Sequence, residues 1–270
     1  MLDLKYLDKK LALMNTFRPL SLTEVKILDQ DKKIEHIWSS NAIEGSTLNK
    51  YETAALLETG LTVHEKPIKD YLAALDLSQA YDYVQNIALG KEPISTMMIR
   101  DINRLVNYSS PNEEIKRNAG VYRVVDVHPN KVLDVHYAPA FDIANQMNDL
   151  VVWFNDNDQK YSPVYMAAAL HQKFVTIHPF LDGNGRTARL LMNFELTRHG
   201  FPIINIQPDK KSRDEYMETL RYTQVDCGKN GLDKFAELVA QYVDQELDRR
   251  ITLLKQHEQE VENANKDTNL

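Results

Sequence analysis

The chain has 270 residues, of which 43% are hydrophobic and 26% are charged, as is usual for a folded globular protein. This composition excludes wholesale disorder, a collagen-like chain and a disulfide-stabilised miniprotein. The 32 basic and 39 acidic residues give a net charge of −7, which argues against nucleic-acid binding through net positive charge. Cys227 is the single cysteine, and no apolar run approaches the roughly 18 residues of a membrane span. We therefore expect a cytoplasmic protein that binds neither nucleic acid nor membrane.

Apolar residues recur at helical spacing through most of the sequence, which predicts an all-α fold. Gly60 and Gly90 follow two of the apolar stretches as helix-ending residues, and Ser95 is placed to begin a helix. Ser212 to Glu215 has the pattern of a capping box, which predicts a further helix start. The predicted helices cover residues 22–37, 51–59, 68–89, 95–106, 163–175, 186–199, a segment from Ser212 onward, and 232–254.

Residues 121–137 break the helical pattern. Two runs rich in valine are joined by a short segment that contains Pro129 and Asn130, which predicts a small β-hairpin. Free hairpin edges can pair with another extended chain. The hairpin is therefore either a docking site for a peptide segment or a cover for the core.

The most informative stretch is the run HPFLDGNGRTAR, from His178 to Arg189. Pro179 disfavours helical backbone at His178, which places an imidazole at the end of a helix, facing a loop. The two glycines of residues 183–185 and the start of the next helix leave backbone N–H groups free to bind phosphate. This stretch therefore predicts an anion-binding loop beside a histidine.

Charged side chains surround this predicted loop. Arg186 and Arg189 are three residues apart on the following helix, so they project from nearly the same face, and each can bind phosphate oxygens in a bidentate manner. Asp182 offers a carboxylate oxygen, the ligand type that Mg²⁺ prefers. We therefore predict a site for a nucleoside triphosphate with Mg²⁺, in which His178 is available as a base.

The run from His178 resembles the Fic-family signature HPFx(D/E)GNGRxxR at every fixed position, and the likeness extends over about residues 95–230. The resemblance implies a Fic helical core and a protein adenylyltransferase, which transfers AMP from ATP to a Ser, Thr or Tyr hydroxyl of a target protein. It also implies roles for individual residues: His178 as catalytic base, Asp182 as magnesium ligand, Gly183, Asn184 and Gly185 as anion hole, Arg186 and Arg189 at the terminal phosphates, and Phe180 as the loop's anchor in the core.

The same resemblance identifies the predicted hairpin as the family's flap, which holds the target segment beside the α-phosphate. The flap residues expected at the nucleotide are Leu133, Val135 and His136. The helix from Ser212 lies where the family builds its adenine pocket, with Tyr216 and Gln224 as candidates. We predict that His171, seven residues before the motif histidine, is a hydrogen-bonded core residue rather than part of this pocket.

A second motif precedes the core. The segment SSNAIEG, residues 39–45, resembles the family's inhibitory motif (S/T)xxxE(G/N). Ser40 and Glu44 are four residues apart and share a helical face, with Gly45 completing the motif. The resemblance implies that Glu44 pairs with Arg189 and thereby excludes the γ-phosphate of ATP. The alternative is that Glu44 and Gly45 simply end a helix.

These inferences divide the chain into an N-terminal helical region over residues 1–94, a Fic core over 95–230, and a C-terminal helix with a polar tail over 231–270. The expected activity is AMP transfer restrained by Glu44, and the resemblance also implies self-association into a homo-oligomer. Three alternatives use the same residues: removal of AMP with Glu44 positioning water, transfer of UMP or phosphate, and a module that senses ATP without chemistry.

Overall fold

The computed structural model describes residues 3–17, 20–62, 65–90, 92–129, 135–225 and 229–268. Over these ranges the regular structure is helical, which confirms the all-α prediction. A short 3-10 helix, Ala140–Asp142, precedes α7. The α-helices are α1 (Lys5–Met14), α2 (Leu22–Ile43), α3 (Lys50–Thr59), α4 (Ile68–Gly90), α5 (Thr96–Val106), α6 (Glu113–Arg117), α7 (Ile143–Asn157), α8 (Pro163–Ile177), α9 (Asn184–Arg198), α10 (Lys210–Val225) and α11 (Lys229–Thr268).

Local capping explains several of the helix ends. A capping box begins α2, in which the Ser21 side chain accepts from the N–H of Glu24 while the Glu24 carboxylate accepts from the N–H of Ser21. Ser95 caps α5 through the N–H of Met98, as predicted. Gly60 ends α3 with a φ of 73°, a conformation that glycine adopts without strain.

The helices α8 and α9 form the centre of the molecule and pack against each other. One hydrophobic cluster joins them to α4, α5 and α7, and a second joins them to α1, α10 and α11. Leu190 and Leu191, neighbours on α9, are both fully buried within the first of these clusters. Because it is packed on all sides, α9 is a rigid platform, and its N-terminus fixes the loop that precedes it.

The predicted β-hairpin is wrong: the described residues of 121–137 form no strand. The Arg123 guanidinium donates to the carbonyls of Val125 and Ala138, and the Arg123 N–H donates to the carbonyl of Pro179. These groups are therefore bound to the arginine and to the motif loop instead of to a facing strand. Val124 points outward and is 87% exposed, so this valine does not pack on the buried face of a sheet. Residues 130–134, which include Leu133, lie outside the described residues.

Two predicted helix starts are displaced. α10 begins at Lys210, because the Asp209 carboxylate accepts from the N–H of Ser212 and thus caps the helix three residues before the predicted cap, Ser212. α9 begins at Asn184 instead of Arg186, with Gly183 as its N-cap. None of the described helices is long and apolar enough to span a lipid bilayer.

Candidate active site

The C-terminal end of α8 presents His178. This residue caps the helix in a left-handed conformation, with φ 53° and ψ 58°, which is uncommon for a residue other than glycine. Its N–H donates to the Phe174 carbonyl at 3.0 Å, and its own carbonyl accepts from Arg123 Nε at 2.8 Å. Both backbone groups are therefore held, and the imidazole is carried at a fixed point where the helix gives way to the loop.

The environment of His178 keeps its imidazole neutral. Burial, with a smaller contribution from Arg123, lowers the pKa of His178 to about 4, although the Val175 carbonyl and Glu44 act in the opposite direction. A histidine with this pKa carries no proton on one ring nitrogen near neutral pH. It can therefore accept a proton from a reacting hydroxyl.

The loop from Phe180 to Asn184 is closed by its own side chains. The Phe180 ring is 1% exposed and anchors the loop in the core. The Asn184 side chain accepts from the Phe180 N–H at 3.0 Å and donates to the Phe180 carbonyl at 2.8 Å. Asn103 of α5 and Asn107, which caps the C-terminus of α5, both donate to the Asp182 carbonyl, at 2.9 and 3.1 Å. The loop is therefore preorganised before any ligand binds.

Only glycine fits at residue 183. The backbone there has a φ of 79°, and a Cβ atom would lie 2.7 Å from Asn107 Nδ2 and 3.0 Å from Asn103 Nδ2. The first distance is shorter than a Cβ atom tolerates, the second is tight, and the positive φ is itself strained for any residue with a side chain. Gly183 therefore lets the two asparagines approach the backbone closely at the N-terminus of α9, where N–H groups are free to bind an anion.

Asp182 and Arg186 form an ion pair at the mouth of this loop, with Oδ2 and Nη2 2.9 Å apart. Arg186 also donates to Asn107 Oδ1 at 3.3 Å, which orients the guanidinium. The Asp182 side chain is 46% exposed, so its carboxylate has room for a cation together with water ligands. The site therefore fits Mg²⁺, which keeps most of its own water when it binds to proteins.

Arg189 is bound to the last turn of α2. Its Nε donates to Ser40 Oγ at 2.8 Å, and its Nη2 donates to the Ser40 carbonyl at 2.9 Å and to Glu44 Oε1 at 2.7 Å. Burial acts to lower the pKa of Arg189, but Glu44 and Tyr216 raise it overall, so the guanidinium is charged. A phosphate can reach this side of Arg189 only if the Glu44 carboxylate leaves.

Glu44 lies at the end of α2 and touches the motif loop. Burial acts to raise its pKa, but Arg189 and, more distantly, Arg186 and Arg213 lower it overall, so the carboxylate is ionised near neutral pH. A Cβ atom on Gly185 would collide with Glu44 Oε1. The absence of a side chain at Gly185 is therefore what allows the carboxylate to approach α9 this closely.

One cavity of about 370 Å³ brings these groups together. His178 and residues 182–186 line one wall, and Glu44 and Gly45 line another. Helix α4 and the turn after α5 complete it, with Asp70, Asp76 and Asn107 among the lining residues. The sequence motif and the segment at the end of α2, which are about 130 residues apart in the chain, thus border a single site.

Residues 93–196 match the model of the Fic/DOC family. A protein adenylyltransferase Fic from Nematostella vectensis is 36% identical over 206 residues, which are 75% of this chain and 46% of that protein. The chain belongs to the Fic/DOC family. Protein adenylyltransferase fic-1 from Caenorhabditis briggsae is 31% identical over 94% of this chain and 48% of its own length. The chain thus spans about half the length of these curated relatives.

Solved Fic structures share the fold. A Fic domain-containing signalling protein from Bacteroides thetaiotaomicron has a TM-score of 0.80 at 29% identity, and the match covers 93% of this chain and 97% of that one. A fragment of Fic-1 from C. elegans has a TM-score of 0.82 at 26% identity, covering 94% of this chain and 72% of that one. The likeness therefore includes the N-terminal helices as well as the core.

The structure separates the expected adenine residues of this Fic chain. Tyr216 is 2% exposed and lies behind Arg189, with its hydroxyl 2.9 Å from His171 Nε2. This bond confirms the prediction that His171 is a hydrogen-bonded core residue. Gln224 borders a different cavity of about 570 Å³, together with Trp153. Neither candidate lines the cavity that contains the motif loop.

The flap residues expected at the nucleotide are also separated. Val135 is 3% exposed and therefore buried, whereas His136 is exposed. The neighbouring Tyr137 was not expected in the site, yet its ring lies on the ring of His178. No periodicity in the sequence distinguishes Tyr137 or Arg123 from the other residues of this irregular segment.

Asn103 and Asn107 are the other site residues that sequence reasoning missed. They are four residues apart, one on α5 and one at its C-cap, and polar side chains at this spacing on an apolar helix face are a signal that the sequence offers. Both are buried, with exposures of 1% and 3%. Their signal is ambiguous because asparagines at such positions also cap neighbouring helices.

A second group of potential metal ligands lies at the opposite end of α9 from the motif loop. Asp158, Glu195 and His199 bring their ligand atoms within 4.8 Å of one another. Arg198 lies 3.0 Å from Asp158, and His199 lies 3.1 Å from Glu195, so two basic groups balance the two carboxylates. This group therefore forms an ion-pair cluster that supports the end of α9.

Proposed function

We propose that this Fic chain is a protein adenylyltransferase that transfers AMP from ATP to a hydroxyl side chain of a target protein. The observation that carries the proposal is the single cavity in which a neutral histidine faces an anion-binding loop. The names of the relatives support the same activity, since they are protein adenylyltransferases. The chemistry of each group follows from its position.

The terminal phosphates of ATP bind the N–H groups at the start of α9, between Arg186 and, once it is free, Arg189. Asp182 is the residue that would hold Mg²⁺, and the chemistry supplied by such an ion is neutralisation of phosphate charge. With the terminal phosphates held in this way, the α-phosphate of ATP is directed toward His178. The arrangement stabilises the charge that develops when pyrophosphate departs.

In the transfer step, His178 accepts the proton of the target hydroxyl as its oxygen attacks the α-phosphorus of ATP. The new bond joins that oxygen to phosphorus, and the bond from phosphorus to the bridging oxygen breaks. Pyrophosphate leaves with the electron pair, and AMP remains on the target. General base catalysis of this kind contributes typically about 10²–10⁴-fold to the rate.

Glu44 restrains this activity in our proposal. Its carboxylate occupies the part of Arg189 that the γ-phosphate would bind, with Nη2 and Oε1 2.7 Å apart. It also places negative charge beside a polyanion. ATP that binds under these conditions is held with its α-phosphate displaced from the attacking hydroxyl.

A second candidate activity is removal of AMP from a modified target. The Glu44 side chain is 44% exposed on the same cavity as His178, so it is placed to bind and orient a water molecule. The intact Gly183 to Gly185 loop favours AMP transfer over transfer of phosphate. The intact and neutral His178 argues against a module that senses ATP without chemistry. Transfer of UMP would differ from transfer of AMP only in the nucleobase that the site recognises.

The target docks, in our proposal, on residues 121–137. Val124 and Val125 are 87% and 53% exposed there, so the segment offers an apolar edge next to His178. We further propose that residues 1–94 act as a regulatory region for a core over 95–230, with 231–270 as a supporting helix. Self-association and a cytoplasmic location stay predictions.

The deciding experiment incubates a cell lysate with Mg²⁺-ATP labelled at the α-phosphate and with wild-type or Glu44→Gly protein. We expect label on lysate proteins, more with Glu44→Gly, and none when His178→Ala is added to that variant. ATP labelled at the γ-phosphate should give no label, and UTP labelled at the α-phosphate tests UMP transfer. Absence of label from α-labelled ATP with both proteins would contradict the proposal.

A further inference from the structure

The ring of Tyr137 lies flat on the ring of His178. Their centroids are 3.9 Å apart and their planes differ by 12°, which is a parallel stack. His178 borders the cavity, whereas Tyr137 covers His178 without bordering that cavity. One face of the imidazole is therefore covered by an aromatic ring, while the residue still borders the site.

The stack is held together by Arg123, whose side chain is fully buried. Arg123 Nη2 donates to the carbonyl of Ala138, the residue that follows Tyr137, and Arg123 Nε donates to the carbonyl of His178 at 2.8 Å. A planar guanidinium holds both partners at fixed directions. The backbones beside the two rings are therefore tied to the same group.

His178 has reason to need such support. It follows the last residue of α8 and has left-handed backbone, so the helix itself does not restrict its ring. The charged groups around it are Arg123 beside the stack, Glu44 from α2, and Asp182 and Arg186 across the cavity. A base must be placed to within fractions of an ångström of its proton donor.

We propose that Tyr137 is a positioning residue that fixes the plane of the His178 imidazole. The inference rests on the proposed role of His178 as the base. Tyr137 acts through the flat face of its ring and needs no chemistry of its hydroxyl. Phenylalanine should therefore replace it, whereas leucine, which is apolar but not planar, should not.

The kinetic test uses Glu44→Gly protein as parent and measures AMP incorporation into a fixed lysate at varied Mg²⁺-ATP. Adding Tyr137→Phe should preserve kcat, and adding Tyr137→Leu or Tyr137→Ala should lower it roughly 10- to 100-fold with little change in the KM for ATP. Loss of the covering ring also reduces the burial of His178. The acid limb of the pH profile should therefore move upward from about 4 toward the ordinary pKa of histidine.

A second measurement needs no activity. In NMR spectra of the protein without nucleotide, the His178 ring protons should be shifted upfield by the tyrosine ring. This shift should persist in Tyr137→Phe and disappear in Tyr137→Leu, and thermal unfolding of each variant checks the fold. If the parent incorporates no AMP, the proposed function fails. These NMR signals would still show whether the Tyr137 and His178 rings are stacked.

The kinetic outcomes that overturn the inference are distinct. If Tyr137→Ala and Tyr137→Leu keep the parental kcat and pH profile, Tyr137 does not position the base. If they raise the KM for ATP at unchanged kcat, Tyr137 supports nucleotide binding instead. If Tyr137→Phe is as deficient as Tyr137→Leu, the hydroxyl carries the effect and the flat ring does not.

Discussion

The two sides of the active site are built in different ways. On one side, α2 and α9 present Glu44, Arg189 and the anion-binding loop from regular helices. On the other side, residues 121–140 carry Tyr137 past His178 with no strand among those that are described. A regular helix places several side chains at once, whereas the irregular segment depends on the contacts of individual residues.

The helical side is a repeated pairing. The residues of α2 that face α9 recur every four positions. The residue numbers of their partners on α9 decrease by four from one pair to the next. Because the two helices run in opposite directions, each pair fixes the register of the next. The pairs are His36 with Asn193, Ser40 with Arg189, and Glu44 with Gly185.

The irregular side depends on Arg123. This one side chain donates to the carbonyls of Val125, Ala138 and His178. Elsewhere in the segment, the Ala140 N–H donates to Asp126. Because each pair on the helical side has neighbours of its own, loss of one pair should loosen that side only locally. Loss of Arg123 should displace the whole irregular side.

The largest effect should come from His178, which lies where the two sides meet. His178→Ala removes the base, and we expect AMP incorporation to fall by about 10²–10⁴-fold. ATP binding measured by calorimetry should be nearly unchanged, because the loop and the arginines hold the phosphates. Incorporation equal to that of the parent protein would show that the base lies elsewhere.

Arg123→Ala should destabilise the protein by roughly 3 kcal/mol, because it leaves the buried carbonyl of Ala138 and the partly buried carbonyls of His178 and Val125 without their side-chain donor. The thermal midpoint should fall by about 6–12 °C for a protein of this size. The matched control is Arg104→Ala, since Arg104 is 54% exposed and pairs with Asp101. That change should cost less than about 1 kcal/mol. Equal losses for both arginines would mean that Arg123 does not hold the irregular side together.

Glu44→Gly should act in the opposite direction and raise AMP incorporation roughly 10- to 100-fold, as expected from loss of a charged hydrogen bond of about 1.5–3 kcal/mol that competes with ATP. Glu44→Gln keeps the shape but not the charge, so it should give an intermediate rate. Following the loss of AMP from purified modified target without ATP separates this relief from loss of a reverse activity. An unchanged rate across a range of Mg²⁺-ATP would mean that the segment simply ends α2.

The sequence is sufficient to predict the helical side of the site. The run from His178 to Arg189 is contiguous, so the sequence itself gives the separation of its site residues. The four-residue separation of Ser40 and Glu44 places both on one face of α2. The pairing of α2 with α9 depends on tertiary packing, but the motif resemblance supplied it. Two helices begin two or three residues earlier than predicted because Gly183 and Asp209 act as their N-caps.

The irregular side could not be predicted in the same way. Valine content over residues 121–127 indicates strand, yet β-propensity reflects packing on a sheet, and no facing strand is present among the described residues. No local feature of the sequence identifies Arg123 as the donor that replaces the hydrogen bonds between paired strands. The adenine candidates Tyr216 and Gln224 were placed by analogy with the family, and the structure directs them to different surroundings.

The smallest predicted effect is on stability in acid, and it tests the helical side. Burial lowers the pKa of His36 to about 4 and that of His171 to about 3. Unfolding returns each to its ordinary value near 6.5, so below that pH the unfolded chain binds more protons. Their contribution to stability is therefore fully present above about pH 6.5 and is lost as the pH falls toward 4.

The measurement is urea unfolding at a series of pH values between 6.5 and 4.5. His36→Asn retains a side chain that can bond to Asn205 but removes one titrating group, so the slope of stability against pH should fall by up to about 1.4 kcal/mol per pH unit. An unchanged slope in His36→Asn would mean that the α2–α9 pairing does not depend on a neutral histidine.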